Sequence, residues 1–175
     1  MNNFKSIGMA SGILVGLVIC FFVFKYANSN HKAKTEYDER QREIRGKGFT
    51  AAFYAAMALE AILTIVFYGG NPPLLEPYMA HAGVIFCSCT ILACYLIWNR
   101  AYWGLNNDTK RYFIILAVTL ILNAFPVIMT AIRGEMIVDG KLSSVFINLL
   151  ASLMLIIIGI VMLVRYLLDR KSEKE

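Results

Sequence analysis

Five stretches of this 175-residue chain run almost free of charge, and each is long enough to cross a lipid bilayer. Residues 6–24 carry no charge over nineteen positions, residues 77–99 none over twenty-three, 112–132 none over twenty-one and 142–164 none over twenty-three. Residues 48–75 carry a single charge, Glu60. A helix needs about 20 apolar residues to span roughly 30 Å of hydrocarbon. Backbone amides in lipid must bond within their own segment, which selects helices here. Transmembrane strands would be shorter and would alternate in polarity. The pattern predicts five spans at about 6–25, 48–69, 78–99, 112–132 and 143–166, with a cytoplasmic segment at 26–47. The expected fold class is all-α, an integral membrane bundle of five transmembrane helices. A short amphipathic, charged cytoplasmic helix precedes the second span, and residues 1–175 make one membrane domain.

Composition closes off the other classes. Apolar residues are 58% of the chain, charged residues 17%, and mean hydropathy is +0.60. That is too much apolar mass for a disordered coil. A soluble domain of this size would have to leave large apolar patches in water.

Orientation follows from Lys and Arg. Fourteen lie at 25–47, 100–111 and in the tail from Arg165, whereas the opposite side holds only Lys5, Arg133 and Lys141. The richer side is expected to be cytoplasmic, which puts the N-terminus outside and the C-terminus inside. A cleaved N-terminal signal is the runner-up, but its basic residues would precede the apolar run, and here they follow it. Trp98, Tyr102, Trp103, Tyr112 and Phe113 bracket the inner loop, and Phe67, Tyr68 and Tyr78 the outer one, at headgroup level. Asn71-Pro72-Pro73 marks the outer turn. The sequon at Asn107 falls on the inner side and is taken as chance.

Lipid supplies no hydrophobic drive between helices, so small residues matter. Gly8, Gly12 and Gly16 repeat every four residues on the first span. Ala51/Ala55 and Ala52/Ala56 form a small face on the second. One reading is a homodimer through the first span. The favoured one is packing of spans one and two within a chain, because five helices already supply internal partners. Pro126 is expected to kink the fourth span.

Glu60 is the only acid or base deep in a span. Counting from the predicted ends places it near the midplane, at the depth of Ser88 on the third span, Asn123 on the fourth and Asn148 to Ser152 on the fifth. An unpaired carboxylate in hydrocarbon costs at least about 3 kcal/mol. Glu60 is therefore expected to hydrogen-bond into that layer, as a ligand or proton site or as a clasp between helices. His81 is placed at the outer end of the third span, as a wet interfacial residue or a pH-sensing or ligand contact. Cys87 and Cys89 are two apart and face different ways on a helix. With no CxxC, the four cysteines are expected to pack, and no metal site is expected.

Residues 27–34 read as a linker. Thr35 can cap a helix over 36–47, with acid-before-base pairs Glu36/Arg40 and Asp38/Arg42 and a bend near Gly46 and Gly48. Such a helix either lies on anionic headgroups or docks a cytoplasmic protein partner. The run Tyr37-Asp38-Glu39-Arg40-Gln41 followed by Ile44-Arg45-Gly46-Lys47-Gly48 and a span resembles an uncharacterised family of small multi-spanning membrane proteins of Gram-positive bacteria. The shared mark is a DERQ…RGK juxtamembrane motif, here about fifteen residues plus the overall layout. Members resemble the membrane halves of small regulatory pairs. That resemblance implies partner docking at Asp38, Glu39, Arg40, Gln41, Arg45 and Lys47, in the bacterial inner membrane.

No nucleotide, haem, zinc or nucleophile motif occurs in the sequence. A non-enzymatic protein without cofactor is therefore expected. Direct nucleic-acid binding is not, since topology accounts for the basic side. The expected function is regulatory, with docking through residues 35–47. The alternative is a small transport or ligand-binding component built on the layer around Glu60, with a water-open cavity beside that residue. Membrane lipid is the expected surround in both.

Overall fold

A computed structural model describes residues 14–16, 18, 19, 21, 22, 25, 36–70, 74–104 and 109–172. Its elements are α1 (Glu39–Tyr68), α2 (Pro77–Trp98), α3 (Thr109–Ile132), β1 (Ile137–Val138), β2 (Lys141–Leu142) and α4 (Phe146–Ser172). Among the described residues these four helices are each long and apolar enough to cross a membrane.

The chain divides into two compact units, Met1–Glu36 and Tyr37–Glu175. In the first, residues 14–16, 18, 19, 21, 22 and 25 are helical and exposed. Most of the expected span 6–25 lies outside the described residues, and so do Gly8 and Gly12 of the glycine face.

In the second unit, α1 packs on α2, α2 on α4, and α4 on α3. The central pair is therefore α2 and α4, with α1 and α3 as flanks. Their shared core is Ala93, Ile97, Ile158 and Met162, with Cys94, Tyr102, Trp103, Tyr112 and Leu116 packed against it. The outer faces stay apolar. Ile65 is 75% exposed, Ile132 76% and Leu122 68%. In water such a surface would aggregate; in hydrocarbon it is solvated.

The start of α1 corrects the sequence reading. Tyr37 and Asp38 are not helical, and Asp38 is the N-cap. Its carboxylate accepts from the Gln41 N–H at 2.6 Å, and the Gln41 side chain accepts from the Asp38 N–H at 3.3 Å. This is a reciprocal capping box, which satisfies two amide donors at the helix end. The helix then runs unbroken for 30 residues through Gly46 and Gly48, so the charged helix and the span are one element. At 1.5 Å per residue it is about 45 Å long, more than hydrocarbon thickness.

Gly48 lets α1 and α2 approach. A Cβ there would stand 3.0 Å from Tyr95 Cδ1, 3.1 Å from Leu96 Cδ2 and 3.2 Å from Leu92 Cδ1. Ala52, one turn on, is 8% exposed. The small-residue face of α1 is thus used against α2, the helix after it. Pro126 lies inside the assigned α3 helix, which continues on both sides of it.

Between α3 and α4 sits a hairpin that the sequence reading left out. Ile137 pairs with Leu142 and Val138 with Lys141, antiparallel. Asp139 and Gly140 turn the chain with φ of 52° and 76°. Asp-Gly is the dipeptide that a two-residue turn with two positive φ values favours. The hairpin is anchored to the segment before α2. The Leu142 N–H donates to the Leu74 carbonyl at 2.9 Å, and Lys141 pairs with Glu76. That carboxylate raises the Lys141 pKa above the usual lysine value.

Gly48→Leu should lower thermal stability in detergent by about 1–3 kcal/mol through overpacking. Gly46→Leu, where a Cβ would meet nothing within 4 Å, should be neutral or slightly stabilising. Equal losses in the two variants would contradict the close α1–α2 contact.

Candidate functional site

Polar side chains gather at two ends of the second unit. The richer cluster lies where α1 begins, where α2 turns into the α3 approach, and where α4 finishes.

The turn after α2 sets its geometry. The Ala101 N–H donates to the Leu96 carbonyl at 2.8 Å, and the Arg100 N–H to the Ile97 carbonyl at 3.1 Å. Arg100 has φ 57°. Together these make a Schellman motif with Arg100 in the left-handed position. The same motif closes α3, where Gly134 stands in that position at φ 71°, with bonds from Gly134 to Ala131 and from Glu135 to Thr130. Glycine takes that conformation without steric penalty. A side chain there costs roughly 1–3 kcal/mol and persists only where its surroundings hold it.

The surroundings of Arg100 do hold it. Gln41 Nε2 donates to the Arg100 carbonyl at 3.0 Å and to the Trp103 carbonyl at 3.3 Å. Arg45 Nη1 donates to the Ala101 carbonyl at 3.3 Å. The Arg100 guanidinium pairs with Asp169 on α4, which Arg165 also meets at 3.1 Å. Ala101 is fully buried, and Gln41 is 8% exposed. One glutamine thus caps α1 and ties it to the α2–α3 connection. The Arg45 guanidinium also lies 4.2 Å over the Tyr37 ring, a cation–π contact. Tyr102, Trp103 and Tyr112 pack as an aromatic group beside it, with Tyr102 and Trp103 centroids 5.0 Å apart. Burial pushes the Tyr102 phenol above its ordinary pKa, and Tyr112 and Tyr37 add to that while Arg45 opposes it.

The six expected docking positions therefore divide. Asp38, Gln41 and Arg45 are engaged within the fold. Glu39 and Arg40 are exposed, and Lys47, also exposed, pairs with Glu43 at 2.6 Å one turn back. Among the described residues, the Arg165 Nε is buried without a hydrogen-bond partner. It lines a cavity of about 300 Å³ with Gln41, Arg100, Trp103 and Asp169.

The second polar group is Glu60 with His81. The imidazole Nδ1 lies 2.9 Å from Glu60 Oε2 and 3.1 Å from Oε1. The His81 ring also stacks on Phe67, with centroids 6.5 Å apart. The expected layer does not form around Glu60. Asn123 Nδ2 donates to the Thr119 carbonyl at 2.9 Å, and the Ser152 hydroxyl to the Asn148 carbonyl at 2.8 Å, each within its own helix. Among the described residues, the Ser88 hydroxyl is buried with no partner.

Helix register explains the difference. The expected span begins at Gly48, but α1 starts at Glu39, and Gly48 already faces Leu92, Tyr95 and Leu96 on α2. Glu60 is therefore displaced toward the α1–α2 hairpin, opposite a residue about 6 Å from the start of α2. The side chains of His81 and Glu60 are 52% and 39% exposed, so the pair lies on the bundle surface. Neither residue lines the cavity of about 300 Å³ or a larger one of about 510 Å³ nearer the Arg45 end.

Cys87, Cys89 and Cys94 are free thiols. Among the described residues no group of three or more His, Cys, Asp or Glu side chains is placed to hold a metal. No family model, curated protein or solved structure matches the chain.

Gln41→Ala should cost about 1–3 kcal/mol, because it strips a buried donor from two carbonyls and half of the capping box. Arg40→Ala, on the exposed side, should change stability by less than about 0.5 kcal/mol. Amide exchange over residues 39–44 checks both, with protection expected to fall only in the Gln41 variant.

Proposed function

We propose that the protein is a non-enzymatic, five-span membrane protein that presents the start of α1 to a cytoplasmic partner and acts as a regulatory component. One observation carries this reading: Gln41 and Arg45 pin α1 to the α2–α3 turn while Glu39, Arg40, Arg42, Glu43 and Lys47 remain exposed on it. A charged helix end held in place loses little conformational entropy on docking, which favours recognition. Lys and Arg gather at this end of the chain, which by the positive-inside rule makes it cytoplasmic, with the N-terminus outside. Residues 6–25 supply the fifth crossing. The resemblance through Asp38 to Gln41 and Arg45 to Gly48 points to the same regulatory role in a bacterial inner membrane. Homodimerisation through Gly8, Gly12 and Gly16 is compatible with it.

Photo-crosslinkers placed at Arg42 and Glu43, both exposed, test the docking surface in intact cells. One defined adduct is expected, and it should be lost on combined Glu39→Lys and Arg40→Glu reversal with the protein still folded. Unchanged adducts after reversal would end this reading.

A second reading rests on the Glu60–His81 contact, an acid and a base joined across two membrane-crossing helices. Ionisable groups within spans often mark ion or proton paths. In that reading the protein is a small transport or ligand-binding component. Glu60→Gln should then abolish any pH dependence of its function. Unchanged function and folding across pH would remove a proton role and leave Glu60 as a clasp.

A further inference from the structure

The two flanking helices lean on the central pair without substantial packing on each other, and a groove of about 510 Å³ opens between them. Its walls are Phe49 of α1 and Ile115 of α3, and its floor includes Leu92 and Leu96 of α2 with Ile158 of α4. Phe49 is 54% exposed and Ile115 61%, so the groove opens sideways, where lipid would lie. At one end its lining turns polar, with Arg45 beside Tyr37 and Tyr102. Arg45 spends one N–H on the Ala101 carbonyl, and no carboxylate among the described residues pairs with it. A guanidinium carries five N–H donors in a fork suited to phosphate.

An apolar groove of this size gives water few partners, and if left empty its lining forfeits dispersion contacts. An apolar occupant recovers those contacts, and the charge at the polar end favours an anionic one. We propose that the groove holds one acyl chain of an anionic phospholipid, with the headgroup phosphate on Arg45. The chain would lie along α3 between the levels of Tyr112 and Thr119, roughly 10 Å at 1.5 Å per residue. The leaflet rests on the orientation proposed above, since anionic lipid is enriched on the cytoplasmic side. The groove and its charge do not depend on that orientation, nor on any protein partner.

Native mass spectrometry of the full chain in detergent, titrated with phosphatidylglycerol or phosphatidylcholine of matched chains, tests the site. One phosphatidylglycerol should be retained about tenfold more tightly than phosphatidylcholine, whose own choline cation offsets its phosphate and repels the guanidinium. Arg45→Gln should erase that preference, and Arg45→Lys, which restores the charge, should keep most of it. Ile115→Trp, at an exposed position on the wall, should weaken retention of both lipids. Inorganic phosphate at equal concentration should not displace the lipid; displacement would assign the site to a free anion. Equal retention of the two lipids by the wild type, or full retention by folded Ile115→Trp, would overturn the proposal. An error in orientation would instead show in face-specific labelling and leave these affinities unchanged.

Discussion

Hydrocarbon offers no partner to a backbone N–H or C=O, and that constraint organises the molecule. It forces each apolar block into a helix whose amides bond internally. It also drives the unavoidable unpaired groups, at helix ends and turns, into a few places where side chains must serve them. The cluster at the start of α1 is such a place. Gln41 closes the capping box, then reaches the carbonyls of Arg100 and Trp103. Arg45 takes the carbonyl between them in sequence, that of Ala101. Without these donors the turn after α2 would leave carbonyls unserved beside a buried alanine.

That service has a conformational cost at Arg100, which holds a left-handed backbone that Gly134 holds freely at the end of α3. The two turns share one hydrogen-bond pattern and differ in the residue at its centre. The arginine brings an ion pair to Asp169 on α4, so the turn ties α1, α2 and α4 together. A glycine there would be easier locally and would leave Asp169 to Arg165 alone. The strain thus marks the joint through which three helices are held at one end, and the exposed charges of α1 project from that joint.

Much of this was legible in the sequence, for physical reasons that also explain the misses. Charge-free blocks predicted the helices at 77–98, 109–132 and 146–172 to within a few residues at most ends, because length and hydropathy alone decide a span. The bend expected near Gly46 and Gly48 does not form, and in the fold Gly48 serves close approach to α2. The cap expected at Thr35 lies outside the described residues, and Asp38 and Gln41, with the same spacing three residues later, form the reciprocal cap of the helix. The Asp139-Gly140 dipeptide carries the signal of the hairpin, but hydropathy, which marks the spans, is blind to it. Glu60 stands out in the sequence as an acid within an apolar block, but its contact with His81 does not. Register between antiparallel helices depends on where α1 really begins, and a count from predicted ends misplaced it by more than one turn. His81 was therefore assigned to a different level from the carboxylate it touches.

The account as a whole rests on the basic ends sharing one side of a bilayer with the α1–α2 hairpin on the other. Single cysteines at Glu43 and Leu74, in a chain whose native cysteines are replaced by alanine, measure this directly with a membrane-impermeant thiol reagent. The account predicts that Leu74→Cys reacts in intact cells and Glu43→Cys reacts only after permeabilisation. Labelling of both from the same face would contradict it.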